Sequence, residues 1–162
     1  METTSVKAKS NNPSDHFSAE DLRGIALAVE RAEENTSGEI RVRIIRELDP
    51  DLKNDPQALY LQAVRDFRKE GMHNTSARTG VLVLMVLRER KFTILADSGI
   101  SNVLPCKYWV ELAETLAFYF WAGSPARAIS MIVAVIGEKL AEFFPRKADD
   151  ANELPNTVSV GE

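Results

Sequence analysis

The sequence predicts an α/β fold: an α/β/α sandwich with a small mixed central sheet, in the order helix, strand, helix, strand, strand, helix, helix. Three observations carry this. "EIRVRIIRE" (Glu39–Glu47) alternates apolar and charged residues, the mark of a strand with a buried face. Val81–Leu87 is apolar without alternation, as in a strand covered on both faces. Around these runs, apolar residues recur at helical spacing, which places helices against a sheet.

The elements follow in order. Residues 1–16 are polar and read as a disordered leader. Ser18 caps the first helix with Asp21 three positions on, a shorter relative of the capping box, and Phe17 staples onto Leu22. Leu22, Ile25, Ala26, Val29 and Ala32 form its apolar stripe, and Gly38 is expected to close it as a left-handed cap. In the first strand Ile40, Val42 and Ile44 alternate with Arg41 and Arg43. Asp55-Pro56 opens a second helix with Tyr60, Val64 and Phe67 inward, and Gly71 ends it. "RER" (Arg88–Arg90) is a short hairpin connection, after which Phe92, Ile94 and Ala96 form the inner side of a returning strand. A third helix runs from about Lys107 to Ala122 with Trp109, Leu112, Leu116 and Phe120 on its apolar side. A fourth starts at Ser124-Pro125, packs Ile129, Ile132, Val133, Ile136 and Leu140, and stops at Pro145. The domain so defined spans residues 17–145, and residues 146–162 are read as an extended polar tail.

Composition narrows the function. The 162 residues favour one domain with a real core. A net charge of −4 and a pI near 5.3 give no basic surplus to displace phosphate counterions, which argues against nucleic acid. Cys106 is the only cysteine, so no intrachain disulfide forms, and no histidine near it in sequence marks it as a nucleophile. The first residues lack the apolar core of a signal peptide, and "AISMIVAVI" is too short for a membrane span, so a cytoplasmic location is expected.

Chain order also predicts a site. A helix between the first two strands makes them parallel, and the hairpin makes the third antiparallel. The starts of the first two strands and the end of the third then share one sheet edge. "TSGE" (Thr36–Glu39), "ARTG" (Ala77–Gly80) and "ADSG" (Ala96–Gly99) should therefore meet. Glu39, Asp97 and Ser98 would offer hard oxygen ligands suited to Ca²⁺ or Mg²⁺, without the thiolate or imidazole that zinc prefers. Thr36, Ser37, Gly38, Arg78, Gly80, Gly99 and Trp109 would line the cleft. His73 is expected as an exposed loop residue.

At these residues the chain resembles the TPM domain family. The similarity rests on "TSGEIRV", "RTGVLVLMVLRERKFTILADSGI", the pair Tyr108-Trp109, "VIGEKLAEFFP" and "DDANELPNTVS", and covers about Phe17 to Ser159. The resemblance implies an α/β sandwich and a divalent cation, notably Ca²⁺; relatives are often labelled phosphatases. Two positions depart from the family pattern. Ala96 stands where relatives commonly begin a Gly-Asp-x-Gly turn, and Val110 stands where an acidic residue commonly follows the aromatic-Trp pair. The expectation is a domain that binds a cation at its loop cluster and contacts a protein partner. The alternative is a metal-assisted phosphomonoester hydrolase in which Asp97 holds the metal or attacks phosphorus and Arg78 clamps the phosphate.

Overall fold

In the computed structural model, which describes residues 12–161, the chain begins with one helical turn, α1 (Pro13–His16). Proline suits this position because its missing N–H would have no helical partner there. Pro13 and Phe17 are buried, so the polar leader gives way to ordered chain earlier than its composition suggests; residues 1–11 lie outside the described residues. Helix α2 (Ala19–Glu33) carries the complete capping box: Asp21 N–H donates to Ser18 Oγ at 3.0 Å and Ser18 N–H to Asp21 Oδ2 at 2.9 Å.

Strand β1 (Glu39–Ile45) follows without a left-handed glycine, because α2 has already ended. The requirement for glycine at Gly38 is instead one of space, since a Cβ there would meet Leu140 Cδ1 at 2.8 Å. Helix α3 (Ala58–Lys69) starts later than expected; Pro56 sits in the turn before it, where Asp55 Oδ1 accepts Gln57 N–H at 2.7 Å. Gly71 leaves it in the left-handed region at φ 73°, as expected, and leads to a 3₁₀ turn, Met72–Asn74.

The inner face of α3 differs from its apolar pattern. Tyr60 is exposed, while Ala63, Phe67 and two polar residues, Gln62 and Asp66, are buried. The reason lies on β1. Arg43 is only 6% exposed, and a guanidinium taken from water needs its counter-charges nearby. Asp66 and Glu70 supply them at 3.2 Å and 3.0 Å.

Strands β2 (Gly80–Val86) and β3 (Lys91–Ala96) form the hairpin, with Arg90 at φ 53° in the turn. A short helix α4 (Ser98–Ser101), then α5 (Cys106–Trp121) and α6 (Pro125–Phe143), complete the helical set. A last strand, β4 (Ser159–Gly161), lies where only an extended surface tail was expected. The sheet order is β3-β2-β1-β4, with β1 parallel to β2 and to β4 and with β3 antiparallel to β2.

Alternate residues divide two cores across this sheet. Ile40, Val42, Ile44, Val81, Val83 and Met85 pack with α2, α5 and α6. Ile45, Leu82, Leu84 and Val86 pack with α3 and with Leu48 and Leu52. Both faces of β2 are thus buried, which accounts for its unbroken apolar run.

The tail is tied down by β1. Arg41 Nη1 donates to the carbonyls of Pro155 and Thr157 at 2.7 Å each. Glu70 accepts from Arg41, from Arg43 and, at 2.6 Å, from Ser159 Oγ. Burial pushes the Glu70 carboxyl up, but the Ser159 hydroxyl and the two arginines outweigh it and hold it below the ordinary range. No helix of the described residues is long and apolar enough to cross a membrane.

Candidate functional site

The three glycine-containing bends do come to one sheet edge, and backbone hydrogen bonds lace them together. Glu39 N–H donates to Thr79 O at 3.0 Å, Asp97 N–H to Gly80 O at 2.9 Å and Gly99 N–H to Arg78 O at 2.9 Å. The strand register accounts for this, because Glu39 pairs with Gly80 and Val81 with Ala96. Their side chains, however, divide into two separate corners.

The first corner belongs to β1. Thr36 Oγ1 donates to Phe144 O at 2.6 Å and accepts Gly38 N–H at 3.0 Å, and Ser37 N–H reaches Phe144 O at 3.0 Å. Thr36, Ser37 and Gly38 thus join the start of β1 to the end of α6. Glu39 is 3% exposed, and its Oε1 accepts Glu153 N–H from the tail at 2.8 Å. Beside it, Glu33 Oε1 accepts Ile40 N–H at 2.7 Å, serving a strand edge that β4 does not reach. The two buried carboxyls lie near enough to influence each other. Burial pushes Glu33 up to about 8, the Ile40 N–H opposes that, and the Glu39 charge adds to it. Burial also raises Glu39, against the tail N–H groups of Glu153 and Leu154, while the Glu33 proton stabilises its charge. Glu33 therefore holds its proton at neutral pH, beside the Glu39 carboxylate. The second oxygen of Glu39, Oε2, is buried without a hydrogen-bond partner.

The second corner belongs to the end of β3. Asp97 caps α4, its Oδ1 accepting Ser98 N–H at 2.7 Å. Its Oδ2 is buried and has no partner. Gly99 lies against the preceding bend so closely that a Cβ would stand 2.5 Å from Ala77 O and 2.6 Å from Arg78 O. Arg78 itself is left-handed at φ 56° with an exposed side chain, and Ser98 is exposed. At this corner the Asp97 carboxylate caps α4, and Gly99 packs against the Ala77 and Arg78 carbonyls where only glycine fits.

The expected ligand set is therefore not one cluster. Glu39 and Asp97 stand two strands apart, about 10 Å at ordinary strand spacing, and one Glu39 oxygen is already taken by the tail. No three of His, Cys, Asp and Glu come together among the described residues. Asp97 keeps the hard-oxygen character of the expected site, its Oδ2 being a buried carboxylate oxygen without a donor.

Trp109 takes a third position. It is buried with its ring edge-on to Tyr108 at 5.0 Å, and Nε1 has no acceptor. It lines a groove of about 470 Å³ between β3, α3 and α5, together with Cys106 and Val110. The sequence position occupied by Val110 thus faces that groove. Cys106 and His73 are both exposed. Sequence reasoning missed Glu33, whose only sequence signal is an acidic residue at the end of an apolar helical stripe.

Nothing among curated proteins matches the chain. Among solved structures it is similar to the BA42 protein from the psychrophilic bacterium Bizionia argentinensis, an NMR structure. The two are 32% identical over 90% of this chain and 95% of that one, with a TM-score of 0.78. It also shares its fold with the N-terminal domain of a P. gingivalis protein, 16% identical, covering 86% of this chain and 87% of that one at a TM-score of 0.62. A family model described as TPM domain matches residues 10–139. With that match across most of the chain and the order of bends and strands found above, the chain belongs to the TPM domain family.

Proposed function

We propose that this domain is a binding module that takes a divalent cation, Ca²⁺ or Mg²⁺, at the Asp97 corner, presenting the adjoining loops to a protein partner. Asp97 supplies the charge, and the Ala77 and Arg78 carbonyls with the Ser98 hydroxyl supply neutral oxygens. The observation that carries this reading is the Asp97 Oδ2 atom, buried without a donor. Leaving a buried acceptor unpaired costs about 1–3 kcal/mol, and more for a charged group. A cation removes that penalty, which no protein group at the corner does. Glu39 is left out of the ligand set and serves as the anchor of the tail.

The hydrolase alternative asks more of the same corner: a nucleophile or held water and a phosphate clamp in addition to the cation. Arg78 is exposed on its turn, and no observation at the corner favours that chemistry.

Calorimetric titration with Ca²⁺ and with Mg²⁺ tests the proposal. Binding is expected in the wild type and in Glu39→Gln, and is expected to be lost in Asp97→Asn. Equal binding by wild type and Asp97→Asn would remove the cation from this corner.

A further inference from the structure

We propose that the C-terminal tail, residues 146–161, is a pH-sensitive latch that closes over the Glu33–Glu39 pair and opens locally, as one unit, as pH rises.

The tail is what seals the two carboxyls from water. A cavity of about 20 Å³ adjoins both, and Arg146, Asp150 and Asn152 of the tail line its other side. That is room for about one water molecule. Beneath it Glu33 is buried at the end of α2, and Glu39, at the start of β1, keeps Oε2 without a donor. Two main-chain bonds hold the cover in place. Glu153 N–H donates to Glu39 Oε1 at 2.8 Å, and Arg146 N–H donates to Asn35 O at 3.1 Å.

The charges facing the pair come from the tail as well. Asp150 lines the cavity, and Glu153 acts on Glu39 with the same sign. Arg146 opposes them at Glu33. Helix α6 brings Leu140 against Gly38 and the Phe144 carbonyl against Thr36, both uncharged. With the tail closed, burial pushes the Glu33 carboxyl up to about 8. With the tail open, water reaches that carboxyl and the cause of the shift is gone. The closed form therefore keeps a proton that the open form releases. Closure is strongest below the ordinary value of 4.5 and weakens as pH rises towards 8.

Opening as a unit leaves a sound domain behind. Of the tail's apolar side chains, Leu154 and Val158 pack partly buried against the two cores, while Val160 is exposed. The other anchors are polar: the Pro155 and Thr157 carbonyls on Arg41, and Ser159 Oγ between Arg43 and Glu70. When these leave, Arg41 and Arg43 both keep Glu70, and Arg43 keeps Asp66. No buried charge is stranded. Few apolar contacts and replaceable polar ones mark a segment of low local stability. Its departure uncovers the outer edge of β1, a row of main-chain groups open to another strand.

Amide hydrogen exchange of the full chain, corrected for the intrinsic rate at each pH, tests the proposal between about pH 5.5 and about pH 8. At the lower pH, Glu153 and Ser159–Gly161 are expected to be at least about a hundredfold less protected than Gly80–Val86. Their protection is expected to fall by up to about tenfold per pH unit. Glu33→Gln is expected to remove most of that slope while the tail still opens locally. Tail amides as protected as those of β2 would show that the tail leaves only with the whole domain, and would overturn the proposal. So would a wild-type tail indifferent to pH, which needs no variant to detect, or a slope unchanged in Glu33→Gln.

Discussion

The two acidic corners on one sheet edge differ in what closes them. At the β1 corner, Glu39 lies under the tail, accepts Glu153 N–H and has the protonated Glu33 beside it. At the β3 corner, Asp97 accepts only the N–H of its neighbour Ser98; each carboxylate keeps one buried oxygen without a donor, Glu39 Oε2 and Asp97 Oδ2. Burial of a carboxylate therefore does not by itself mark a binding site; what matters is whether the chain has already supplied its partner. By that test the β1 corner is structural and the β3 corner is the one left for a ligand.

The largest effect expected from this contrast is a pH dependence carried chiefly by Glu33 at the β1 corner. Glu33 has its folded pKa raised from 4.5 to about 8. Within that window the folded state holds a proton that the unfolded state has lost, so stability is full below the lower value and falls as pH rises towards the upper one. The slope is at most about 1.4 kcal/mol per pH unit, a few kcal/mol over the window. Burial raises Glu39 and Asp66 as well and acts in the same direction, whereas the lowered Glu70 contributes with opposite sign only at more acid pH. Urea unfolding between pH 5 and pH 8 reads this; the pH range follows from the linkage window, roughly 4.5 to 8. Glu33→Gln is expected to flatten the curve. A Gln variant as pH-sensitive as the wild type would contradict Glu33 as the source of the dependence.

Smaller is the cost of adding one methyl group at each corner. In Gly99→Ala the new Cβ meets backbone carbonyls of Ala77 and Arg78, which cannot move aside cheaply. A loss of about 2–3 kcal/mol is expected, the upper part of the range for overpacking. In Gly38→Ala it meets the tip of Leu140, which can rotate, and a loss of about 1 kcal/mol is expected. Denaturant unfolding of the two variants ranks the corners by rigidity. Equal losses would mean that the Asp97 corner yields as easily as the other and is no preformed cradle.

Much of this could be read from sequence because it follows from chain order. One crossover followed by one reversal brings Gly80, Glu39 and Asp97 to the same edge whatever the details of packing, and the capping box at Ser18 is a local signal. What was hidden depends on partners distant in sequence. The tail residue that claims Glu39 lies 114 positions away, and three residues of β4 are too few to show alternation. Gln62 and Asp66 face inward on α3 because Arg43 is buried on β1, and no helical pattern of apolar residues contains that fact. Gly38 carried an ordinary turn signal, yet its need is for clearance from Leu140.

The most direct measurement follows the backbone amides of the ¹⁵N-labelled chain by NMR during titration with Ca²⁺ or Mg²⁺. The account predicts saturable shifts at Arg78, Thr79 and Asp97–Ile100, with Thr36–Glu39 and Glu153 left unmoved. Shifts centred on Glu39 and Glu153, or none at Asp97, would contradict it.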